Sequence, residues 1–304
     1  MFFSIFILGL IIILFIMGKT KKRIKHKHTN KNTNKKESFT NINTLSLSQC
    51  SNILKNKEKK CNCFDKRGFP TTSHRYCMQV NHQETCDDYN VCKQKFLDYM
   101  TGSEPEYDLN NWNDPIIESS HNCYAYFLDD HIPVIKKKCE GYCPKFNIKN
   151  GNRVCNTKPK KCDDLKPQPG DFAVKNGDLE ENEYKYNCKT IVDKVLLDNW
   201  DKTTGKSLIQ KVNFNEKCPA NHYKGAVVVH PEKTYHFYRQ DNNGRFSHKQ
   251  GTLSIENVDA SGNPIWSPHD ADRDYKKDKK EGINYTDFCS YLCVPHNLHK
   301  QINQ

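Results

Sequence analysis

Fifteen cysteines in a chain of 304 residues are the feature that most constrains its fold. Cytosolic thiols are kept reduced, so cysteine at this density is typical of proteins that mature in an oxidising compartment and are held together by disulfides. Because fifteen is an odd number, at least one thiol stays outside any intramolecular pairing. The connectivity cannot be read from the sequence, so each cysteine is either a bridge half or a free thiol at this point.

A nearly continuous apolar run occupies residues 2–17 and is followed by a dense basic segment. The run is at the short end of the length that a membrane-spanning helix needs. No positive charge precedes it and no small-residue cleavage site follows it, which favours an uncleaved anchor over the alternative, a signal peptide. We therefore predict a transmembrane anchor at 1–18, a single-pass membrane protein and the lipid bilayer as a partner.

The net charge of +11 is concentrated beside this run, with nine Lys or Arg and no acid between Lys19 and Lys36. Such a block is attracted to anionic lipid headgroups, so we predict no nucleic-acid partner. The positive-inside rule would place the folded part in the cytoplasm, whereas the cysteines indicate an oxidising compartment. A luminal or surface domain would reconcile the two. A virus that oxidises its own proteins in the cytosol would also reconcile them. The Lys, Asn and Ile usage of the chain resembles that of AT-rich giant DNA viruses. A viral origin would place the protein in a host or virion membrane.

Three segments are predicted after the anchor. Residues 19–48 are Lys, Asn, Thr and Ser with few apolar side chains, which is typical of a flexible stalk. Residues 49–110 form a segment with six cysteines. Residues 111–297 form a larger unit with regular structure.

The sequence of the larger unit predicts an α+β fold, because the predicted helices come first and the predicted antiparallel strands follow them. Ser119 and Ser120 are candidate N-caps for a helix that contains Cys123. Residues 191–200 have helical spacing, residues 225–230 have the composition of a buried strand, and residues 235–240 and 246–249 form a predicted hairpin.

Cys123 is the candidate nucleophile. A thiol attacks as a thiolate, and the free backbone amides at a helix N-terminus stabilise that anion. The odd cysteine count agrees with one unpaired thiol. The alternative is that Cys123 is half of a disulfide and another cysteine is free.

His236 is the candidate general base, because cysteine hydrolases bring Cys and His together by folding. If Asn242-Asn243-Gly244 forms a three-residue loop, Tyr238 pairs with His248, and His236 and His248 share one face of the sheet. A two-residue loop would send His248 to the opposite face. His248 is therefore the first candidate for the orienting third residue. The alternative role of His236 is that of a hydrogen-bonded strand histidine.

Asp259 and Asn263 are the alternative candidates for that third residue. Both belong to the sequence Asp259-Ala-Ser-Gly-Asn263, which follows the predicted hairpin.

These residues together resemble the NlpC-type and CHAP-type cysteine hydrolases of the papain-like group. The resemblance rests on a cysteine at a helix start in His121-Asn-Cys-Tyr-Ala125, a Pro169-Gly170-Asp171 turn entering a strand, a histidine on a strand and a second histidine after a hairpin. It covers residues 112–249 and implies a helix packed on an antiparallel sheet, with Cys123 as nucleophile, His236 as base and His248 as the polar third member. It also implies cleavage of peptide or amide bonds, often in cell-wall peptides, without a cofactor or metal.

Two departures from that family are visible. Asn122 precedes the cysteine where the family usually has Asp, and the segment between Asp171 and His236 is longer than usual. The residue before the cysteine bears on whether the protein is catalytically active. The longer segment bears on the shape of the substrate groove.

Two functions from different classes follow. The first is a membrane-anchored thiol hydrolase acting as a peptidase or amidase. The alternative is a non-catalytic, disulfide-stabilised surface or virion membrane protein with a hydrolase-like fold. Closely spaced cysteines such as Cys139 with Cys143, and Cys289 with Cys293, could instead bind zinc, but disulfides are the favoured interpretation.

Overall fold

An antiparallel sheet of six strands lies at the centre of the described chain, with the strand order β5-β10-β6-β7-β8-β9. The strands of this sheet are β5 (Gln210–Val212), β6 (His222–His230), β7 (Thr234–Gln240), β8 (Phe246–Lys249), β9 (Ile255–Glu256) and β10 (Asp287–Pro295). Two further antiparallel pairs are β1 (Phe146–Lys149) with β2 (Asn152–Cys155), and β3 (Trp200–Asp201) with β4 (Lys206–Ser207).

The protein is represented by a computed structural model that describes residues 44–61, 83–149, 152–179, 185–275 and 282–298. All of these belong to one compact unit, Thr40–Gln304. The predicted anchor at 1–18 and most of the predicted stalk at 19–48 lie outside the described residues. The division of the chain into a cysteine-rich segment at 49–110 and a larger unit at 111–297 stays a prediction.

The described helices precede the six-stranded sheet in the chain. They are α1 (Leu47–Cys61), α2 (Gln83–Asp98), α3 (Leu109–Trp112), α4 (Pro115–Ser120), α5 (Cys123–Phe127), α6 (Pro133–Glu140), α7 (Asp171–Lys175) and α8 (Cys188–Asp198), with a 3₁₀ helix at Lys160–Leu165.

Strand β6 is buried on both faces of the sheet. Successive side chains of a strand point to opposite sides, so its residues enter two different cores. Val227 and Val229 join the core that contains α5 and α8. Ala226 and Val228 join a second core on the opposite face, formed with Tyr285 and neighbouring side chains. The run of valines therefore fits a central strand rather than a strand with one solvated face.

Helix α5 lies very close to the sheet at Gly225. A β-carbon built on Gly225 would fall 2.3 Å from the ring of Phe127. The same ring packs at 4.8 Å from that of Phe237 on β7. Glycine at position 225 thus allows the helix that begins at Cys123 to pack directly on the sheet.

Helices α1 and α2 form a hairpin that is closed by two disulfides, Cys50–Cys92 and Cys61–Cys86. Its buried Glu58 accepts hydrogen bonds from the Tyr89 hydroxyl at 3.0 Å and the Trp266 indole at 3.1 Å. Glu58 also pairs with Arg245, which follows β7. A buried carboxylate with three donors therefore fastens the cysteine-rich segment to the sheet.

Four further disulfides link other elements: Cys139–Cys162, Cys143–Cys155, Cys188–Cys289 and Cys218–Cys293. Cys188 begins α8 and Cys289 lies on β10, so one bridge ties that helix to the sheet. Twelve of the thirteen described cysteines are thus paired, and the described chain is disulfide-stabilised.

The hairpin prediction is confirmed in its register. Tyr238 pairs with His248, the amide of Asp241 donates to the carbonyl of Arg245 at 2.8 Å, and Gly244 has a left-handed φ of 85°. The predicted strand at 225–230 is confirmed within β6. The predicted helix at 191–200 is confirmed as α8, although it begins at Cys188 and ends at Asp198.

Two local predictions were wrong. Ser119 and Ser120 close α4 instead of capping the helix of Cys123, and their hydroxyls bond back to Pro115 and Ile116 carbonyls. The turn at Pro169-Gly170-Asp171 leads into helix α7 instead of a strand, because Gly170 adopts a left-handed φ of 102° and the chain then turns helical.

The predicted transmembrane component of the fold is corrected. Within the described ranges, no helix combines the length and the apolar character needed to cross a bilayer. The described chain is α+β without a spanning helix, so the single-pass placement in a host or virion membrane is withdrawn. The apolar run that suggested it lies outside these ranges.

Candidate functional site

Cys123 is the first residue of α5, and Asn122 is the residue that caps this helix. The Asn122 Oδ1 accepts the amides of Tyr124 and Ala125, while its Nδ2 donates to the Pro167 carbonyl at 2.6 Å. The cap is therefore tied to the segment before α7 as well as to its own helix. This arrangement places the Cys123 sulfur at the head of the helix, although α5 has only five residues.

Cys123 is the free cysteine among the described residues, and its side chain is 6% exposed. Burial raises the pKa of its thiol to about 12, because a thiolate is poorly solvated in an apolar site. The backbone amide of Phe237, then the charges of Lys249 and Lys166, oppose that rise. The Cys123 thiol is therefore protonated at neutral pH.

His236 and His248 are joined by a hydrogen bond of 2.9 Å between His236 Nε2 and His248 Nδ1. The Nε2 of His248 lies 3.0 Å from the Val258 carbonyl, which can only accept, so this nitrogen carries a proton. In a neutral His248 ring, Nδ1 is then the acceptor and His236 Nε2 is the donor. The lone pair of a neutral His236 consequently lies on Nδ1, the nitrogen that a base would use.

The ring of His236 is held between aromatic neighbours. It stacks on Tyr285 at 5.2 Å with an interplanar angle of 26° and meets Tyr238 edge-on at 5.2 Å. Only 2% of His236 is exposed. These contacts fix the plane of the imidazole.

Cys123 and His236 line one cavity of about 740 Å³. The backbone amide of Phe237, next to His236, favours the anionic form of the Cys123 sulfur, and the helix that begins at Cys123 packs on strand β7 through Phe127 and Phe237. Tyrosines and amides form much of the remaining wall: Gln168, Tyr186, Tyr235, Gln250, Tyr275 and Tyr285. Cys123 and His236 thus line the same cavity, and His248 is hydrogen-bonded to His236. The catalytic roles of the three residues stay a prediction.

Asp259 and Asn263, the alternative third residues, are used elsewhere. The Asp259 carboxylate accepts the amides of Ser261, Asn263 and Asp272 and pairs with Lys55 at 3.2 Å. The carbonyl of Asn263 accepts the Asp259 amide at 2.8 Å. These bonds close the loop after β9, and His248 occupies the position next to His236.

Lys249 is a site residue that sequence reasoning missed. Its ammonium group is buried and donates to the carbonyls of Glu118 at 2.9 Å and Gly251 at 2.6 Å. Burial, followed by the nearby charge of Lys166, lowers the pKa of Lys249 to about 7. Its position directly after His248 on a strand with alternating faces was the signal that could have placed it near Cys123.

Zinc is not favoured by the described residues. The cysteines proposed as alternative ligands are in disulfides, and no cluster of three potential ligands occurs within the described ranges. His269 pairs with Asp270 at 2.8 Å on an exposed loop.

Comparison with known proteins gives one informative similarity. The chain is 46% identical over 69 residues to Insoluble matrix shell protein 1 from Ruditapes philippinarum. The matched part is 23% of this chain and 40% of the relative, so it spans less than half of that protein.

No family model matches the chain, and no solved structure matches it. The resemblance to papain-like hydrolases and the resemblance to viral proteins therefore stay predictions.

Proposed function

We propose that this disulfide-stabilised protein is a thiol hydrolase that cleaves a peptide or amide bond at Cys123. One observation carries the proposal: the described free thiol shares a cavity with a histidine whose tautomer is fixed by a second histidine. Hydrolysis by a thiol needs a nucleophile, a base within reach and a group that orients the base. Cys123, His236 and His248 have the chemistry for these three roles.

The reaction would proceed in two balanced steps. His236 Nδ1 removes the Cys123 proton as the sulfur attacks the substrate carbonyl, and the carbon–nitrogen bond then breaks as the imidazolium protonates the leaving amine. In the second step His236 removes a proton from water, whose oxygen attacks the thioester carbonyl and releases a carboxylic acid and the thiol. His248 remains the acceptor that holds the His236 ring.

The raised pKa of Cys123 bears on this sequence of events. Because burial leaves the thiol protonated at neutral pH, attack depends on proton removal by His236 during the reaction. A resting thiolate–imidazolium pair is not required. The charges of Lys249 and Lys166 favour the anionic sulfur as it develops.

The test incubates the purified full chain with a peptide library and with cell-wall peptide fragments, followed by mass spectrometry of the products. We expect new amine and carboxylate ends that disappear in Cys123→Ala and His236→Ala. His269→Ala, which alters an exposed histidine, is the matched control and should keep full activity. Cleavage that is unchanged in Cys123→Ala would end the hydrolase proposal.

The second candidate function is a non-catalytic structural protein of an extracellular matrix. It is supported by the similarity to an insoluble shell matrix protein and by six disulfides among the described residues. The curated relative favours this candidate, whereas the thiol–histidine geometry favours the first. It predicts that neither peptides nor cell-wall fragments are cleaved, and that the protein sediments with an insoluble matrix equally well with Cys123→Ala.

A further inference from the structure

Two runs of lysine are brought together by one disulfide. Lys136-Lys137-Lys138 ends directly at Cys139, and Lys160-Lys161 ends directly at Cys162. The two cysteines are bonded, with their Cα atoms 5.2 Å apart. Since consecutive Cα atoms are about 3.8 Å apart, the Cα atoms of Lys138 and Lys161 lie within about 13 Å of each other.

The side chains of both runs face solvent. All five lysines are exposed, and the neighbouring Lys145 is exposed as well. We call residues 133–166 the basic module; it contains ten Lys or Arg but three acids, namely Glu140, Asp163 and Asp164. Asp163 is paired with Lys166, and both line the Cys123 cavity.

The two runs concentrate five positive charges on an exposed surface. The Cα atoms of Lys138 and Lys161 lie within about 13 Å of each other, and the screening length is about 8 Å at physiological ionic strength, so repulsion between the runs is largely screened. A ligand with closely spaced negative charges can pair with several of these ammonium groups at once, and this gives the surface a chemical preference.

Apolar side chains are also exposed on the basic module. Val134 is 76% and Ile148 is 74% exposed, and the Tyr142 ring lies 6.0 Å from the Lys161 ammonium. A cationic group beside an aromatic ring, on a segment that also exposes aliphatic side chains, suits a polymer that alternates anionic groups with apolar ring faces. A sulfated or carboxylated polysaccharide has this chemistry.

We propose that the basic module binds an anionic polysaccharide through Lys136–Lys138 and Lys160–Lys161. The proposed binding surface does not include Cys123, His236 or His248. The proposal is therefore independent of whether the chain is a hydrolase. It would dock the protein onto a polyanionic extracellular material.

Lysine labelling tests the location of binding. The full chain is acetylated at limiting reagent with and without heparin, and each lysine is quantified by mass spectrometry. Labelling of the two runs should fall by roughly threefold or more on binding, as expected for ammonium groups held in ion pairs. Lys202, Lys206 and Lys211, exposed lysines outside the basic module, should be unaffected. Equal labelling of the two runs in both conditions overturns the proposal, even if residues 19–36 are protected.

Charge removal tests the energetics. K137Q/K138Q/K160Q/K161Q should bind immobilised heparin roughly tenfold more weakly than the wild-type chain, because four surface ion pairs are lost. The matched variant K189Q/K202Q/K206Q/K211Q removes the same charge elsewhere and should bind like wild type. Equal loss in both quadruple variants would show a general charge effect and overturn the site. Protection of the two runs by polyaspartate or phosphatidylserine vesicles but not by heparin would overturn the polysaccharide assignment.

Discussion

His248 accepts the Nε2 proton of His236, and the Val258 carbonyl accepts the proton of His248. Because the Val258 carbonyl can only accept, it fixes the proton of His248 on Nε2 and leaves Nδ1 of His248 as the acceptor for His236. The lone pair of neutral His236 therefore lies on its Nδ1. The tautomer of the candidate base is thus set by a carbonyl ten residues beyond His248.

Replacing His248 should therefore reduce activity without removing a reacting group. We expect His248→Leu to lower kcat by about 10- to 100-fold, the usual effect of losing an orienting partner, while KM changes little. His248→Gln keeps an acceptor and should recover part of the loss. Steady-state kinetics and the pH profile of kcat check this, since an altered base should also shift the profile. A purely structural role would leave the pH profile of the remaining activity unchanged.

Gly225→Ala should displace the helix of the nucleophile. The added methyl would meet Phe127 at 2.3 Å, so the expected cost is about 1–3 kcal/mol in the free energy of unfolding. Urea denaturation of wild type, Gly225→Ala, Phe127→Leu and the double variant measures the coupling. If the clash is the cause, Gly225→Ala costs less in the Phe127→Leu background. Additive effects would show that the close approach does not matter.

Glu58→Ala should loosen the helical hairpin from the sheet. The substitution leaves the buried Arg245 guanidinium without its carboxylate and removes the acceptor of Tyr89 and Trp266, at a cost of about 3–5 kcal/mol. Lys57→Ala is the neighbouring control. It breaks a partly exposed pair with Asp88 and should cost less than about 1 kcal/mol. Equal costs in urea denaturation would contradict the assigned role of Glu58.

Asp130 should make the protein less stable as the pH rises. Burial, followed by the charge of Asp129, raises the pKa of Asp130 from 3.8 to about 7. The folded state therefore holds a proton that the unfolded state releases, so the stabilising contribution is complete below about pH 4 and is lost as the pH approaches 7. Unfolding free energies of wild type and Asp130→Asn across this window test the sign. A wild-type curve parallel to that of Asp130→Asn would refute it.

Local chemistry explains which parts of the fold were predictable from the sequence. The loop Asn242-Asn243-Gly244 determines its own geometry, since Gly244 takes a left-handed conformation that few residues adopt. The register of β7 with β8 follows from that loop, and with it the pairing of His248 beside His236. The central strand β6 was equally readable because it is a run of buried valines.

The cap of α5 was not predicted correctly because two signals overlapped. Ser119 and Ser120 are favourable N-caps, but they end α4, whose own start is marked by Asp114 and Pro115. That Asp-Pro pair was a usable signal for a separate short helix. With α4 in place, Asn122 is left as the cap of the helix that begins at Cys123.

The disulfide pairing could not be predicted because it depends on the folded chain. Cys188 and Cys289 are separated by 101 residues and meet only because α8 packs on β10. The fastening of the α1–α2 hairpin through Glu58 to Arg245 and Trp266 is non-local in the same way. Neither relationship leaves a periodic pattern in the sequence.

The dependence of Cys123 reactivity on His236 is the most direct test of the proposed site. The native full chain is treated with iodoacetamide over a range of pH, and alkylation of Cys123 is followed by mass spectrometry in wild type and His236→Gln, with the disulfide map as a folding control. We predict that alkylation near neutral pH is roughly tenfold or more slower in His236→Gln, because the base that deprotonates a buried thiol is lost. The difference should shrink as the pH rises, because burial raises the pKa of the Cys123 thiol and hydroxide increasingly replaces the missing base. Equal rates at neutral pH in two correctly folded proteins would contradict the thiol–histidine site.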